Sequence, residues 1–195
     1  MFESVRDLDL DQLRAKHSRL YYFGLGFIQL KIDETWRLHF YSPELPVVTE
    51  DIHDHRYDFE SRVLAGTITN TFYRVASRPR MWLKVATPAE RQGLHVMRPE
   101  SCNPDVQAPA TETLCEVVVS TVETFSKGDT NEVEHTEFHR VFSGDCITLL
   151  RRGPYKKDYA NVVMPLSKIP VCPFSVKIPE DDLWACMERM IERHR

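Results

Sequence analysis

The chain has 195 residues, of which 42% are hydrophobic and 28% charged, with a formal net charge of −4 and a pI of about 6.1. This length can bury the core of one domain, and the charge balance excludes a strongly basic, polyanion-binding protein. The sequence contains no apolar run long enough to cross a membrane, no basic-then-apolar signal peptide and no C-x-x-C pair among its five cysteines. We therefore expect a cytoplasmic protein with reduced cysteines, a small-molecule substrate, and neither a nucleic-acid nor a membrane partner.

The N-terminal part of the chain changes from helical to strand character. Apolar residues recur among charged ones over residues 5–20, which predicts a short amphipathic helix. Aromatic and branched residues then dominate residues 21–32 and 35–42, with a turn at Asp33-Glu34 between them. Both segments are typical of β-strands.

The middle of the chain contains one strand-like and one irregular segment. Residues 61–75 continue the β pattern, and Gly66 within them indicates a bend, a bulge or a close approach of backbones. Residues 76–112 contain five prolines, many charges and little periodicity. We predict a proline-rich loop insertion over 76–112 rather than a second domain.

Strand character returns in the C-terminal half and ends in a helix. Residues 113–125, 132–142 and 146–152 are rich in branched and aromatic residues. The acidic residues that follow Pro179 predict the start of a C-terminal helix. The chain is therefore predicted to be mainly β with helical ends, which favours a barrel or a sandwich.

The segment IHDHRYDFE, residues 52–60, carries the strongest chemical signal. His53 and His55 are two residues apart, so in an extended strand both imidazoles point to the same face and can reach one ion. A solvated loop with two unemployed histidines is the alternative, because H-x-H also occurs by chance. Further ligands elsewhere in the chain would favour the metal site.

Outside the H-x-H motif, three histidines lie on strand-like segments: His39, His135 and His139. His139 is favoured as the third ligand, because a Gly144-Asp145 turn and a new apolar strand follow it. If residues 133–141 form one uninterrupted strand, His135 and Glu137 share a face with His139. Either could then be a ligand or a base near the metal, although solvated side chains on a strand are the alternative.

These motifs resemble those of the cupins, a family of small metal-binding β-barrels. The first cupin motif has the form H-x-H, then E, then G, and the second supplies one later histidine before a turn and a strand. The matching residues here are His53, His55, Glu60, Gly66 and His139. The spacing before Gly66 is one residue short, and the usual proline and glycine before the last histidine are missing.

The resemblance implies a single cupin-like domain over 1–195, folded as a double-stranded β-helix (jelly-roll) barrel, with pairing of two copies through edge strands as an option. It also implies a metal site formed by His53, His55, Glu60 and His139. Such a set suits Fe(II), which is favoured here, and also Mn(II), Ni(II) or Zn(II). Glu60 can join it only if the strand bends between Arg56 and Phe59, since its odd separation from His55 otherwise turns it to the opposite face.

Within the cupins, the strings IHDH and HRV are similar to the thiol dioxygenases, which use three histidines on ferrous iron. The Ser-x-His-x-Tyr triplet of those enzymes is missing, and Glu60 is more like the iron or manganese cupins with three histidines and one carboxylate. We predict an Fe(II)-type dioxygenase acting on a small organic substrate, such as a thiol or a carboxylate. The alternatives are a non-catalytic cupin that binds a small molecule or nucleotide, and a sugar isomerase-type cupin.

Four more side chains are candidates for contacts with the substrate. Arg37 and Arg62 each offer a guanidinium fork for a carboxylate, and Arg62 is predicted to share the face of Glu60. Tyr57 and Tyr155 could act beside Glu60 in catalysis by hydrogen bonding to dioxygen or substrate. The alternatives are ion pairs at the barrel mouth for the arginines and core packing for the tyrosines.

Overall fold

The computed structural model describes residues 2–16, 20–48, 52–78, 92–97, 113–166 and 174–195. In these ranges the chain is mainly antiparallel β with two α-helices, which confirms the predicted fold class. No helix among the described residues has the length and apolar character needed to span a membrane. The helices are α1 (Leu10–Lys16) and α2 (Glu180–His194), and the strands are β1 (Leu20–Phe23), β2 (Phe27–Lys31), β3 (Trp36–Tyr41), β4 (Ile52–His53), β5 (Tyr57–Ser77), β6 (Gln92–Met97), β7 (Thr113–Ser126), β8 (Thr130–Val133), β9 (Phe138–Phe142), β10 (Cys146–Tyr155) and β11 (Ala160–Pro165).

The first layer is a sheet whose outer face is covered by the helices. Its strands lie in the order β1-β2-β3-β10-β5, and β8 also pairs with β5. Alternate residues of β2 and β3, such as Leu30 and Phe40, are fully buried in a core that includes Met187 and Met190 of α2. Since side chains alternate along a strand, the residues between them face the other way, where the candidate site lies.

The second layer closes on itself. The C-terminal half of β5 pairs with β7 on one side and with β9 on the other. From β7 the pairing continues through β6, β11 and β4 and returns to β9, so six strands form a closed circuit. A closed circuit of antiparallel strands is a barrel, as the jelly-roll prediction requires.

Gly66 lies where β5 passes from the first layer to the second. Its partner Cys146 is the last β10 residue to pair with β5, and the β7 pairing begins at Thr67. Gly66 has a φ of +74°, and a Cβ at this position would overlap the carbonyl oxygen of Asp145 and lie 2.9 Å from the Cα of Cys146. Only glycine fits here without strain, because a side chain meets backbone on the neighbouring strand.

Gly66→Ala is therefore expected to lower the free energy of unfolding by at least about 2 kcal/mol, from the positive φ and the backbone overlap together. Urea unfolding followed by circular dichroism measures this loss. Gly144→Ala is the matched control, because a Cβ at Gly144 meets nothing within 4 Å. Equal stability of the two variants would contradict the account of Gly66.

The N-terminal helix is shorter than predicted over 5–20. A 3₁₀ turn at Val5–Asp7, capped by Ser4, ends at Leu8 in extended backbone. The Asp9 carboxylate then accepts the backbone N–H of Gln12 and so caps the start of α1. The caps at Ser4 and Asp9 divide the segment into a 3₁₀ turn and a short α-helix. The spacing of apolar residues alone does not predict this division.

Two further segments differ from the sequence prediction. Residues 92–97, inside the predicted loop insertion of 76–112, form β6 and join the barrel between β7 and β11. The rest of that insertion lies outside the described residues, apart from residues 76–78. Residues 132–142 form two strands rather than one, because a turn at Glu134–Glu137 separates β8 from β9.

The predicted reduced cysteines agree with the structure where it describes them. Cys115, Cys146 and Cys186 are buried free thiols, whereas Cys102 and Cys172 lie outside the described residues.

Candidate metal centre

The structure brings His53, His55 and His139 together. One ring nitrogen of each lies within 4.8 Å of the corresponding nitrogens of the other two. The centroids of the His53 and His55 rings are 4.9 Å apart, and that of His139 lies 5.1 Å from His53 and 4.9 Å from His55. The sequence predicted this set of three from the H-x-H spacing and the later histidine.

The backbone explains why residue 139 supplies the third imidazole. His53 on β4 is the direct cross-strand partner of His139 on β9. Side chains of directly opposed residues on antiparallel strands point to the same face with Cβ atoms about 5 Å apart. His55 follows two residues later, beyond the end of β4, and its ring turns back to the same point.

The segment between the two first histidines is held by a buried carboxylate. Asp54 is 2% exposed and accepts hydrogen bonds from the Lys157 ammonium at 2.6 Å, the Asn161 backbone N–H at 2.6 Å and the Asn161 side-chain amide at 2.5 Å. Its own backbone N–H donates to the Asn161 carbonyl at 3.0 Å. Asp54 thereby fixes the H-x-H segment to β11. No local pattern predicts this role, since the partners of Asp54 lie about a hundred residues away in the chain.

His53, His55 and His139 are here called the triad, and burial favours the neutral form of two of its imidazoles. Burial, followed by the nearby His139 and His53, holds the pKa of His55 well below its usual range. Burial and the nearby His53 likewise lower the pKa of His139 well below its usual range. Neutral imidazole is the form that donates a lone pair to a metal, so the lowered pKa values of His55 and His139 favour the ligating form of these two rings.

The donor set fits a divalent transition metal. The Nε2 atoms of His55 and His139 are 2.7 Å apart. Two nitrogens bound at ~2.1 Å to one ion lie about 3 Å apart when their bonds meet at a right angle. A slight outward movement of the two imidazoles would therefore make room for an ion between them. Three imidazoles without a thiolate suit several such metals, and the donors alone do not choose among them.

The triad opens onto a cavity of about 760 Å³. Apolar and aromatic side chains from both layers form most of its wall, among them Phe27, Phe59, Ile68 and Leu150. The volume lies in the range of pockets that hold drug-sized ligands. The three histidines that would hold a metal therefore lie at the wall of a large and mostly apolar space.

A group of polar side chains from β2 and β3 lies in the same cavity. Arg37 donates hydrogen bonds to the Tyr57 hydroxyl at 2.7 Å and to Gln29 Oε1 at 3.2 Å. Gln29 Oε1 also contacts His39 Nε2 at 3.2 Å, so that nitrogen carries the proton. Burial and Arg37 lower the pKa of His39 to about 3, which keeps its ring neutral.

Arg37 is a half-buried cation without an anionic partner in the described part of the chain. No carboxylate of the described residues forms an ion pair with it, and its Nε is buried without a hydrogen-bond acceptor. Buried guanidinium groups are normally paired, because desolvation of an unpaired charge is costly. The Arg37 guanidinium thus lines the cavity with one N–H donor unused.

No family model matches this sequence, and no curated protein matches it either. Similar solved structures include hydroquinone 1,2-dioxygenase from Sphingomonas sp. TTNP3 with 4-hydroxybenzoate bound, at 12% identity and a TM-score of 0.31, over 62% of this chain and 60% of that one. Another is E. coli ycfD, at 10% identity and a TM-score of 0.32, over 81% of this chain and 39% of that one. The chain thus aligns with about three fifths and two fifths of these two proteins, and both TM-scores are low.

The structure leaves Glu60 and Arg62 out of the site. β5 runs as a continuous strand from Tyr57, so alternation turns Tyr57, Phe59 and Ser61 toward the cavity and the residues between them to the opposite face. Glu60 lies between its strand partners Arg151 and Glu132, outside the histidine cluster. The chain does bend at Arg56, but β5 is regular from Tyr57 onward and keeps Glu60 and Arg62 off the cavity face. This corrects the expectation of a carboxylate ligand and of Arg62 as a substrate contact.

His135 and Glu137 are also separated from the metal centre. His135 Nδ1 lies 2.7 Å from Asp58 Oδ1, which accepts the His135 backbone N–H as well. The Glu137 carboxylate accepts the backbone N–H of Glu134 inside the turn between β8 and β9. The alternative in which residues 133–141 form one strand is therefore wrong, and both side chains stabilise local structure.

The two tyrosines predicted for the site both line the cavity. The Tyr57 ring centroid lies 6.1 Å from that of His55, close to the metal centre. Tyr155 is 52% exposed at the cavity mouth and lies 5.7 Å from Tyr57. The Arg152 guanidinium stacks over both rings, a contact that sequence reasoning did not find because the RRGPY string lacks any motif.

Proposed function

We propose that this chain is a metal-dependent cupin in which His53, His55 and His139 hold a divalent transition metal, with Fe(II) favoured. We further propose that it is a dioxygenase acting on a small-molecule substrate that carries a carboxylate. The observation that supports this most is the position of the triad, which opens onto a large cavity containing the unpaired cation Arg37.

The charge of the ligand set favours an anionic substrate. With Glu60 turned away, three neutral imidazoles contribute no negative charge to the site. A divalent ion held by them would keep its full positive charge, and Arg37, which lines the same cavity, would add a further positive charge. A carboxylate or a thiolate on the substrate would compensate these charges in a wall that is mostly apolar.

The roles of the protein groups follow from their contacts. Arg37 would bind the carboxylate, and Tyr57, which accepts a hydrogen bond from Arg37, would direct its hydroxyl proton toward the same group. The apolar wall would exclude water from the reacting atoms. When bound, a redox-active ion would supply the activation of dioxygen and a position for the substrate next to it.

Oxygen consumption tests this proposal. The purified protein with added Fe(II) should consume dioxygen in the presence of a carboxylate substrate, in a survey that includes aromatic acids, alkyl carboxylates, small thiols and diols. Reaction with thiols alone would favour a thiol dioxygenase. Ligand binding without oxygen consumption would instead favour the non-catalytic cupin, and isomerisation of a sugar without oxygen would favour the third alternative.

Arg37→Met is expected to weaken binding of the carboxylate by about 10- to 100-fold, because a charge-assisted hydrogen bond contributes about 1.5–3 kcal/mol. Isothermal titration calorimetry measures this change. Arg62→Met is the matched control, since it also replaces an arginine by methionine, but on the face of β5 that points away from the cavity. Equal loss in both variants would contradict the role assigned to Arg37.

A further inference from the structure

One side of the cavity carries a continuous row of aromatic rings, here called the aromatic wall and formed by Phe27, Phe23, Phe174 and Tyr21. The Phe27 and Phe23 rings stack with centroids 4.8 Å apart and planes within 8°. Phe23 lies 4.5 Å from Phe174, and Phe174 lies 6.1 Å from Tyr21. The inner end of the wall contacts His39 at 4.7 Å, and Tyr21 at its outer end is 39% exposed.

A second row begins beside it and carries positive charge. Arg37 lies two residues before His39 on β3, so the two side chains share a face. From Arg37 the row continues over Tyr57 at 5.3 Å to Arg152, which stacks over Tyr155 at 4.2 Å. Arg152 lies outside the cavity lining and pairs with the Glu34 carboxylate at 3.8 Å. The two rows thus start next to each other at His39 and Arg37, and Arg37 is the arginine of the second row that lines the cavity.

Several exposed residues of the cavity lining are apolar. Among the described residues that are large, hydrophobic and exposed, four line the cavity: Tyr21, Val47, Phe142 and Tyr155. Phe142 is 73% exposed and Val47 53%. Exposed apolar side chains grouped around a cavity indicate a ligand that brings apolar surface of its own.

We infer that the substrate is a bulky apolar carboxylate, with an aromatic or long alkyl body that lies along the aromatic wall and a carboxylate at Arg37. This inference rests on the proposed function for the position of the carboxylate and for the reaction that follows binding. The cavity itself argues for the size of the body. A thiol of amino-acid size would leave most of about 760 Å³ to water held against apolar walls.

A series of carboxylates tests the inference independently of turnover. Propanoate, hexanoate, 4-phenylbutanoate and the neutral amide of the last are titrated into the protein by calorimetry, without added iron and without oxygen. Affinity should rise about fourfold for each methylene that becomes buried, and the amide should bind at least tenfold more weakly than its acid. Equal affinity for propanoate and 4-phenylbutanoate, or binding of neither, would overturn the inference.

Two variants locate the apolar body. Phe23→Ala should weaken 4-phenylbutanoate by at least tenfold and propanoate by less than twofold, because only the longer ligand reaches the aromatic wall. Phe142→Ala, at an exposed rim position that the core does not need, should weaken the longer ligand severalfold. Val122→Ala is the control, being 61% exposed and outside the cavity lining.

The outcomes separate the inference from the proposed function. Selective binding of the bulky carboxylate without oxygen consumption after addition of Fe(II) would support the inference and contradict the dioxygenase. Oxygen consumption with a small carboxylate, together with no binding of the bulky carboxylate, would support the proposed function and contradict the inference. An unchanged affinity of 4-phenylbutanoate in both the Phe23 and Phe142 variants would overturn the assignment of the aromatic wall.

Discussion

His139→Ala is expected to lose metal binding, with the affinity for a divalent ion such as Zn(II) or Fe(II) falling by more than 100-fold. Loss of an outer hydrogen-bond partner of a metal ligand already costs about 10- to 100-fold, and removal of one of three ligands should cost more. Metal content after dialysis and calorimetric titration measure the effect. Retention of wild-type affinity would contradict the assignment of His139 as the third ligand.

The fold should survive this substitution. The His139 ring is 2% exposed, and its Nδ1 is buried without a hydrogen-bond partner in the described part of the chain, so alanine removes an unsatisfied polar atom along with some packing. Without metal, thermal unfolding of the variant should therefore resemble that of the wild type. With metal at about 100 times its Kd, the wild type alone should gain about 2.7 kcal/mol.

His135→Ala provides the matched control for that experiment. His135 is only four residues away in the sequence, yet it pairs with Asp58 rather than with the triad. Its removal should leave metal content unchanged. A loss of metal equal to that of His139→Ala would indicate a general effect on β9 rather than the loss of a ligand.

Asp54→Ala is expected to destabilise the protein by about 3–5 kcal/mol. The substitution leaves the Lys157 ammonium, which is 15% exposed, without its carboxylate, and it also leaves the Asn161 N–H groups without an acceptor. Breaking a buried ion pair by removing one partner has a cost of this size. Urea unfolding of the metal-free protein measures it.

A second effect of the same variant concerns the metal. Asp54 fixes the segment that carries His53 and His55, so its loss should lower metal affinity by about 10- to 100-fold. Asp58→Ala is the control, because its carboxylate is 42% exposed and its ion pairs with His135 and Lys156 lie at the surface. It should cost about 1 kcal/mol or less and leave the metal affinity unchanged. Comparable destabilisation by both variants would contradict the role of Asp54.

The sequence was informative where a signal is local. The strand segments follow from their aromatic and branched residues, and the C-terminal helix from Pro179 and the acidic residues after it. The H-x-H spacing of His53 and His55 was enough to predict convergence of two imidazoles. A helical or strand period is set by neighbouring residues, so it can be detected without knowledge of the fold.

The sequence was misleading where the answer depended on register or on distant partners. Glu60 matches the spacing of a family motif, but the continuous start of β5 turns its carboxylate to the opposite face from the cavity. β6 was hidden among prolines and charges, and it forms a strand because β7 and β11 offer free edges to it. Asp54 gave no signal, since its role comes from Lys157 and Asn161.

The barrel closes where β4 meets β9, and among the described residues this join consists of the single pair His53 and His139. Few backbone hydrogen bonds can cross a join of one pair, so the side chains above it must contribute to closure. An ion bound to both imidazoles would link β4 to β9 through their side chains. Without an ion, β4 and β9 would be the part of the barrel that frays first, so metal loading at His53 and His139 would also complete the architecture.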